Sequence, residues 1–302
     1  MSCVSQFYGL RIYHAPRQGL SRVARKGGGA WPAWRGGDLG SHRKPAGPAI
    51  RPPRTTRESP SAAQIYSAKK RPSFRAKRLS LPKFIGMLKI DHFTFNPFSE
   101  NTYVLSHPNG ACLLVDPGCF NAQEQQQLLD FFSERNLKPD AVLLTHAHLD
   151  HIFGVQFLVS TFQIPLWAHP LSKGMIERLP QICAMYGLPP AHCPLPTHFI
   201  NPETGFDWQG EHFDVPHLPG HSPDHIALIQ PDQGFAISGD LLFYDSIGRS
   251  DLPGGNQEVL MQSLQYLLKT YPDAMQVYPG HGPGTTLGRE RKLNPYLSGG
   301  EA

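Results

Sequence analysis

The run Thr145-His146-Ala147-His148-Leu149-Asp150-His151 sets four metal-capable side chains within six residues, directly after the apolar stretch AVLL. Neutral imidazole and carboxylate are suitable ligands for zinc and for iron. A turn that aims His146 and His148 at one point can send Asp150 and His151 toward a neighbouring one, so the spacing implies two metals. A lone histidine would read as a surface or capping residue; four such groups together do not. Three further candidates recur downstream, each beside a glycine: His221 in LPGHSPDH, Asp240 in AISGDLLF and His281 in VYPGHGPG. Glycine allows the close backbone approach and unusual dihedrals that a ligand-bearing turn needs. Five His and two Asp give each of two metals three terminal ligands and one shared carboxylate. Positions remain for water, as catalytic sites require and structural sites do not. The set points to an enzyme.

Such groups need stiff supports, and the chain supplies a pattern for them. Strand-like runs are predicted at about 88–95, 101–106 and 111–116, then a helix near 121–136 and a buried strand at 141–145. Helical spacing follows at Ile152, Val155, Leu158 and Val159, with a short strand in IPLWA and a looser helical stretch at 171–187. Strands resume near 197–200, 213–218, 225–230 and 234–239, and a helix at 256–270 leads to a last strand, MQVY, at 275–278. The class is α/β, with the chemical residues at strand ends and therefore gathered on one edge.

Several further segments carry a family likeness. They are Asn96-Pro97-Phe98 with Glu100-Asn101-Thr102-Tyr103, the VDPG turn at Asp116, GDLLFYDSIGRSD, and GHGPGTTLGRE followed by Asn294-Pro295. With these and its HxHxDH signature, the chain resembles the metallo-β-lactamase superfamily over nearly all of 88–292. Within it, the chain is most similar to the glyoxalase II branch, in a short form without the C-terminal helical domain. The resemblance implies a four-layer αββα sandwich of two mixed β-sheets. It also implies a first metal on His146, His148 and His221, a second on Asp150, His151 and His281, and Asp240 bridging them. The cofactor expected is a pair of divalent ions, zinc first, with iron or manganese as alternatives.

The chemistry that follows is hydrolysis, because paired divalent ions lower the pKa of water from 15.7 toward about 7. Asp150 is expected to bind metal and to aim the nucleophile. A thiolate leaves without a proton donor whereas an amine does not, and no unassigned acid is evident. The substrate expected is therefore a small acyl-thiol: a thioester or activated ester, as in hydroxyacylglutathione hydrolases. Arg249 and Arg289 are the cations available for a substrate carboxylate, and Asp116 and His225 are candidates to support ligands from behind. His92, His107, His169, His192, His198, His212 and His217 fit no metal pattern. One rival reading is a mononuclear iron persulfide dioxygenase of the same superfamily, which the chain resembles in its GRSD segment. Another is a nuclease tethered by a basic N-terminus.

Charge argues against the nuclease. Residues 1–86 hold 18 Lys and Arg against 2 Asp and Glu, while residues 87–302 hold 10 against 22, so the net +4 of the 302-residue chain describes neither part. An acidic catalytic segment repels a phosphodiester backbone. Residues 1–86 carry 19 Gly and Pro without strand or helix period. They read as a disordered tail, a transit peptide, or sequence upstream of a true start at Met87. Residues 87–302 form the expected catalytic domain. Five cysteines without CxxC spacing speak against a disulfide framework and for a reducing compartment, the cytoplasm. No apolar run is long enough to span a membrane.

Overall fold

The computed structural model describes residues 86–185, 187 and 191–297. The basic segment expected over 1–86 lies, Gly86 aside, outside the described residues. The chain opens with β1 (Lys89–Phe95), β2 (Glu100–Ser106), β3 (Ala111–Val115), α1 (Ala122–Glu134) and β4 (Lys138–Leu143). Next come α2 (Leu149–Ile152), α3 (Val155–Phe162), β5 (Leu166–Ala168), α4 (Ser172–Glu177), α5 (Leu179–Met185) and β6 (His198–Phe199). A small hairpin, β7 (Phe206–Trp208) and β8 (Glu211–Phe213), precedes β9 (Leu228–Gln230) and β10 (Phe235–Gly239). The remainder is β11 (Leu242–Phe243), β12 (Ser246–Ile247), α6 (Gln257–Thr270), β13 (Gln276–Pro279), β14 (Thr285–Thr286) and α7 (Leu287–Leu293).

Two mixed sheets organise these elements. The first runs β1-β2-β3-β4-β5-β6, antiparallel from β1 to β3 and parallel from β3 to β6. The second runs β14-β13-β10-β9, with one parallel pair between two antiparallel ones. Successive strand residues face opposite sides, and β3 shows where each side goes. Cys112 and Leu114 pack with Leu128 and Phe132 of α1 and Val155 and Leu158 of α3. Leu113 and Val115 pack with Leu228, Phe235 and Ile237 of the second sheet. That sheet's other face sets Ile229, Ala236 and Val277 against Leu260, Leu264 and Leu267 of α6 and Leu287 of α7. The order is helices, sheet, sheet, helices. Replacing Leu143, fully buried between the sheets, with alanine is expected to cost about 2–5 kcal/mol in denaturant unfolding.

Helix starts follow local chemistry. Asn121 accepts the Gln123 and Glu124 amides at the head of α1, and Asn256 accepts the Val259 amide at the head of α6. Other predicted bounds shift for physical reasons. The helical stretch at 171–187 is two helices divided at Arg178. The strand expected at 213–218 is reduced, beyond Phe213, to the isolated pairs Asp214–Ile229 and His217–Ile226, since Pro216 lacks a donor for the ladder. Strand β4 starts earlier and ends at Leu143, so Leu144 and Thr145 already belong to the turn that carries the histidines.

Candidate metal centre

The turn after β4 is fastened to the end of β3. The Asp116 amide donates to the Leu143 carbonyl at 3.0 Å, and the Asp116 carboxylate receives the Thr145 amide at 2.7 Å and the Thr145 hydroxyl at 2.5 Å. Asp116 adopts φ +50°, a left-handed conformation that aspartate tolerates better than most residues. Its Oδ2 also lies 3.1 Å from His151 Nδ1. The Thr145 hydroxyl, having donated to Asp116, accepts from His146 Nδ1 at 3.0 Å. His221 Nδ1 donates to the Arg249 carbonyl at 2.7 Å and His281 Nδ1 to the Ser99 carbonyl at 3.2 Å. Four imidazoles are thus gripped by Nδ1, which fixes the ring and turns Nε2 inward.

What those inward atoms meet is the test of a metal. The Nε2 atoms of His146, His151 and His221 and Oδ1 of Asp240 are buried without a hydrogen-bond partner. Such groups are costly unless something else satisfies them. Ligand atoms of His146, His148 and His221 lie within 4.8 Å of one another, and so do those of Asp150, His151 and His281. Asp240 reaches both groups: Oδ2 is 3.5 Å from His221 Nε2 and 3.5 Å from His281 Nε2, and Oδ1 is 3.4 Å from His151 Nε2. A third grouping, Asp116 with His146 and His151, is explained by the Nδ1-side hydrogen bonds. The donor set and its orphaned atoms fit two cations sharing Asp240.

Electrostatics divide the two groups. Burial, reinforced by neighbouring imidazoles, holds His146 far below the usual histidine range and His148 at about 3, and burial also lowers His221. Burial thus favours the neutral imidazole throughout the first group. In the second, burial opposes charge, but Asp150 and Asp240 outweigh it and hold His151 well above its ordinary value and His281 at about 11. Burial likewise works against ionised Asp150, yet His151 and His281 bring it to about 2; Asp240 is pulled down in the same way.

The surroundings leave little freedom. Asp240 Oδ1 and the His151 ring stand where any Cβ on Gly280 would go. The Asp240 amide donates to His225 Nε2 at 3.0 Å, so His225 supports Asp240 through the backbone. Asn101 Nδ2 holds the carbonyls of Pro279 and Gly282 at 3.1 and 2.8 Å, and Tyr103 donates to Pro279 at 2.7 Å. Together they frame the His281 turn. Asn96 Nδ2 holds the Asp150 carbonyl at 3.0 Å. Glu100 is fully buried 4.0 Å from His151 Nδ1, and burial raises its carboxyl well above the ordinary range. Sequence reasoning gave Glu100 and Asn101 no role; the signal was a run of polar residues in a strand, β2, whose residues are all buried.

The two arginines stand differently. The Arg249 guanidinium forms a fork with Asp251 at 2.7 and 2.8 Å, and its backbone carbonyl orients His221. Arg289 forms a fork with Asp245 at 2.7 and 3.0 Å, reaches Glu290 at 2.6 Å and lies over the Tyr244 ring at 3.5 Å. Both cations are engaged by carboxylates of the chain. His169 and His217 stack on each other at 4.2 Å, and neither belongs to a metal-capable group among the described residues. Cys119 is buried, with its thiol pushed up to about 12 by that burial.

The sequence profile of the metallo-beta-lactamase superfamily matches residues 95–281. The chain belongs to this superfamily. It is 32% identical over 213 residues to the hydroxyacylglutathione hydrolase GloC of Haemophilus influenzae, covering 70% of this chain and 99% of that one. Among solved structures it is similar to the BLEG-1 B3 metallo-beta-lactamase, with 33% identity and TM-score 0.65 over 70% of this chain and 100% of that one. It is also similar to TTHA1623 in a di-iron-bound form, with 42% identity and TM-score 0.62 over 68% and 100%. The superfamily's dinuclear metal chemistry suits the clusters seen here.

Proposed function

We propose that this member of the superfamily is a dinuclear metal hydrolase of small acyl-thiols, cleaving thioesters or activated esters in the manner of hydroxyacylglutathione hydrolases. The observation that carries the reading is Asp240, whose two oxygens reach both ligand groups at 3.4–3.5 Å. In this reading His146, His148 and His221 hold one ion, Asp150, His151 and His281 hold the other, and Asp240 bridges. When bound, the pair supplies Lewis acidity toward a carbonyl oxygen and a lowered pKa for water.

The residues supply position. Asp150 stays ionised, and its backbone is clamped by Asn96, so its carboxylate serves as an acceptor that orients a nucleophile and does not store the proton. Asp116 and Thr145 stiffen His151 and His146 from behind. Among the described residues the groups paired with the Asp150 carboxylate are His151 and His281, both proposed ligands, which favours a leaving group, such as a thiolate, that needs no proton donor. The 32% identity to a hydroxyacylglutathione hydrolase supports the same substrate class.

Zinc is the ion proposed, although a similar structure holds two irons. The compartment proposed is the reducing cytoplasm, in line with the free cysteines Cys112, Cys119, Cys183 and Cys193. No helix among the described residues is long and apolar enough to cross a membrane. Residues 1–86 are proposed as an appendage outside this chemistry, without a nucleic-acid partner. The test is purified protein assayed on a panel of glutathione and other thioesters with metal quantified in the same sample, beside a chain beginning at Met87. Two zinc per chain with oxygen-independent thioester turnover is expected from both. One iron with oxygen consumption on glutathione persulfide would replace hydrolysis with the dioxygenase reading.

A further inference from the structure

Asp224 stands in HSPDH between His221 and His225 and is fully buried. Its Oδ2 accepts the Ala147 amide at 3.0 Å and the Ser172 hydroxyl at 2.7 Å, and its Oδ1 accepts the Ser222 hydroxyl. Each donor has a meaningful address. Ala147 sits between His146 and His148, Ser222 follows His221, and Ser172 opens α4. One carboxylate therefore ties together the two turns that deliver all three imidazoles of the first group and moors them to a helix.

It does so without joining the ligands. Asp224 belongs to no metal-capable group among the described residues, and its oxygens are taken by Ala147, Ser172 and Ser222. Burying a polar side chain is costly unless its oxygens are hydrogen-bonded, and here three donors meet them. The spacing it governs is exacting, since metal–ligand distances tolerate only about 0.2 Å. His148 shows the need most clearly: no side-chain hydrogen bond caps it at the head of α2, and its ring is placed by neighbours, 4.7 Å from His146 and 4.5 Å from His221. Its backbone is held through Ala147.

We infer that Asp224 is a positioning residue that sets His146 and His148 against His221 and thereby tightens metal at the three-imidazole group. The inference rests on the ligand assignment proposed above. It makes a specific demand on chemistry: hydrogen-bond geometry matters and negative charge does not. In Asp224→Asn the amide oxygen keeps Ala147 and Ser172, while the amide nitrogen donates to Ser222, whose hydroxyl rotates to accept. In Asp224→Ala all three ties are lost.

The experiment loads the full-length chain with zinc and measures affinity by competition with a chromophoric chelator, with near-ultraviolet circular dichroism as the folding check. Asp224→Ala is expected to weaken one of two zinc sites by about 10–100-fold, and Asp224→Asn to stay close to wild type. Should Asp224→Ala misfold, Asp224→Gly removes the same side chain and is read in the same way. A folded Ala or Gly variant with unchanged zinc affinity overturns the inference, as does an Asn variant as weak as Ala. Wild type that takes up no zinc would instead sink the ligand assignment. Wild type that binds zinc but turns over no thioester would sink only the substrate reading.

Discussion

Asp240→Ala is expected to reduce bound metal from two equivalents per chain to one or fewer and to lower kcat on thioesters by roughly a thousandfold, about 4 kcal/mol of barrier. The reason is geometric. Among the described residues Asp240 is the carboxylate that approaches His221, His151 and His281 together, so under the proposed assignment its loss removes a ligand from each ion and the charge that lets two cations sit side by side. Burial makes the loss worse, because repulsion between like charges is poorly screened away from water. Asp150→Ala is the informative contrast: Asp150 pairs with His281 and His151 alone, so one equivalent is expected to remain. Metal analysis of both variants beside wild type, on the samples used for kinetics, checks the difference. Full retention of two equivalents in Asp240→Ala would remove the bridge.

The candidate ligands drew together in the sequence because coordination chemistry restricts residue type, and the fold groups six of them into two metal-capable clusters. Imidazoles and carboxylates crowded into one turn have few other uses, and glycine beside His221, Asp240 and His281 marked backbone under constraint. The layers came from the family likeness and not from periodicity: ACLLV is apolar throughout, and it is the packing that sends Cys112 and Leu114 to the helices and Leu113 and Val115 to the second sheet.

What the sequence hid is what depends on a partner far along the chain. Glu100 and Asp224 are ordinary acids on the page, and only the fold brings Glu100 beside His151 and Asp224 beneath Ala147. Arg249 and Arg289 likewise have partners that the spacing did not reveal. As isolated cations they suggested substrate contacts, whereas Asp251 and Asp245 sit close enough to engage them. The helix α7 was missed because Gly288 and a run of charges weaken its pattern; it is held by buried Leu287 and by Glu290, which receives the Thr285 hydroxyl at 2.5 Å and Asn294 Nδ2 at 2.9 Å.

Acidification is expected to remove the two metals in separate steps, with the Asp150–His151–His281 ion leaving first. The sign follows from which groups carry protons before metal arrives. His148, held at about 3, is neutral across pH 5–8, and burial lowers His146 and His221 in the same direction, so a cation displaces few protons there and affinity changes little. His281, held at about 11, is protonated throughout that range, and the carboxylates raise His151 in the same direction, so binding must expel at least the His281 proton. Each expelled proton weakens apparent affinity about tenfold per unit fall in pH. Asp150, at about 2, and the lowered Asp240 do not titrate in this window, so carboxylate protonation is not the cause. Equilibrium dialysis against buffered zinc from pH 8 to 5 checks this, with metal counted at each step. Loss of both equivalents at one pH, or a slope of less than one proton for the first, would contradict it. Activity should fall with the first equivalent, because Asp240 then faces one cation in place of two and Asp150 no longer has an ion beside it to define where a nucleophile sits.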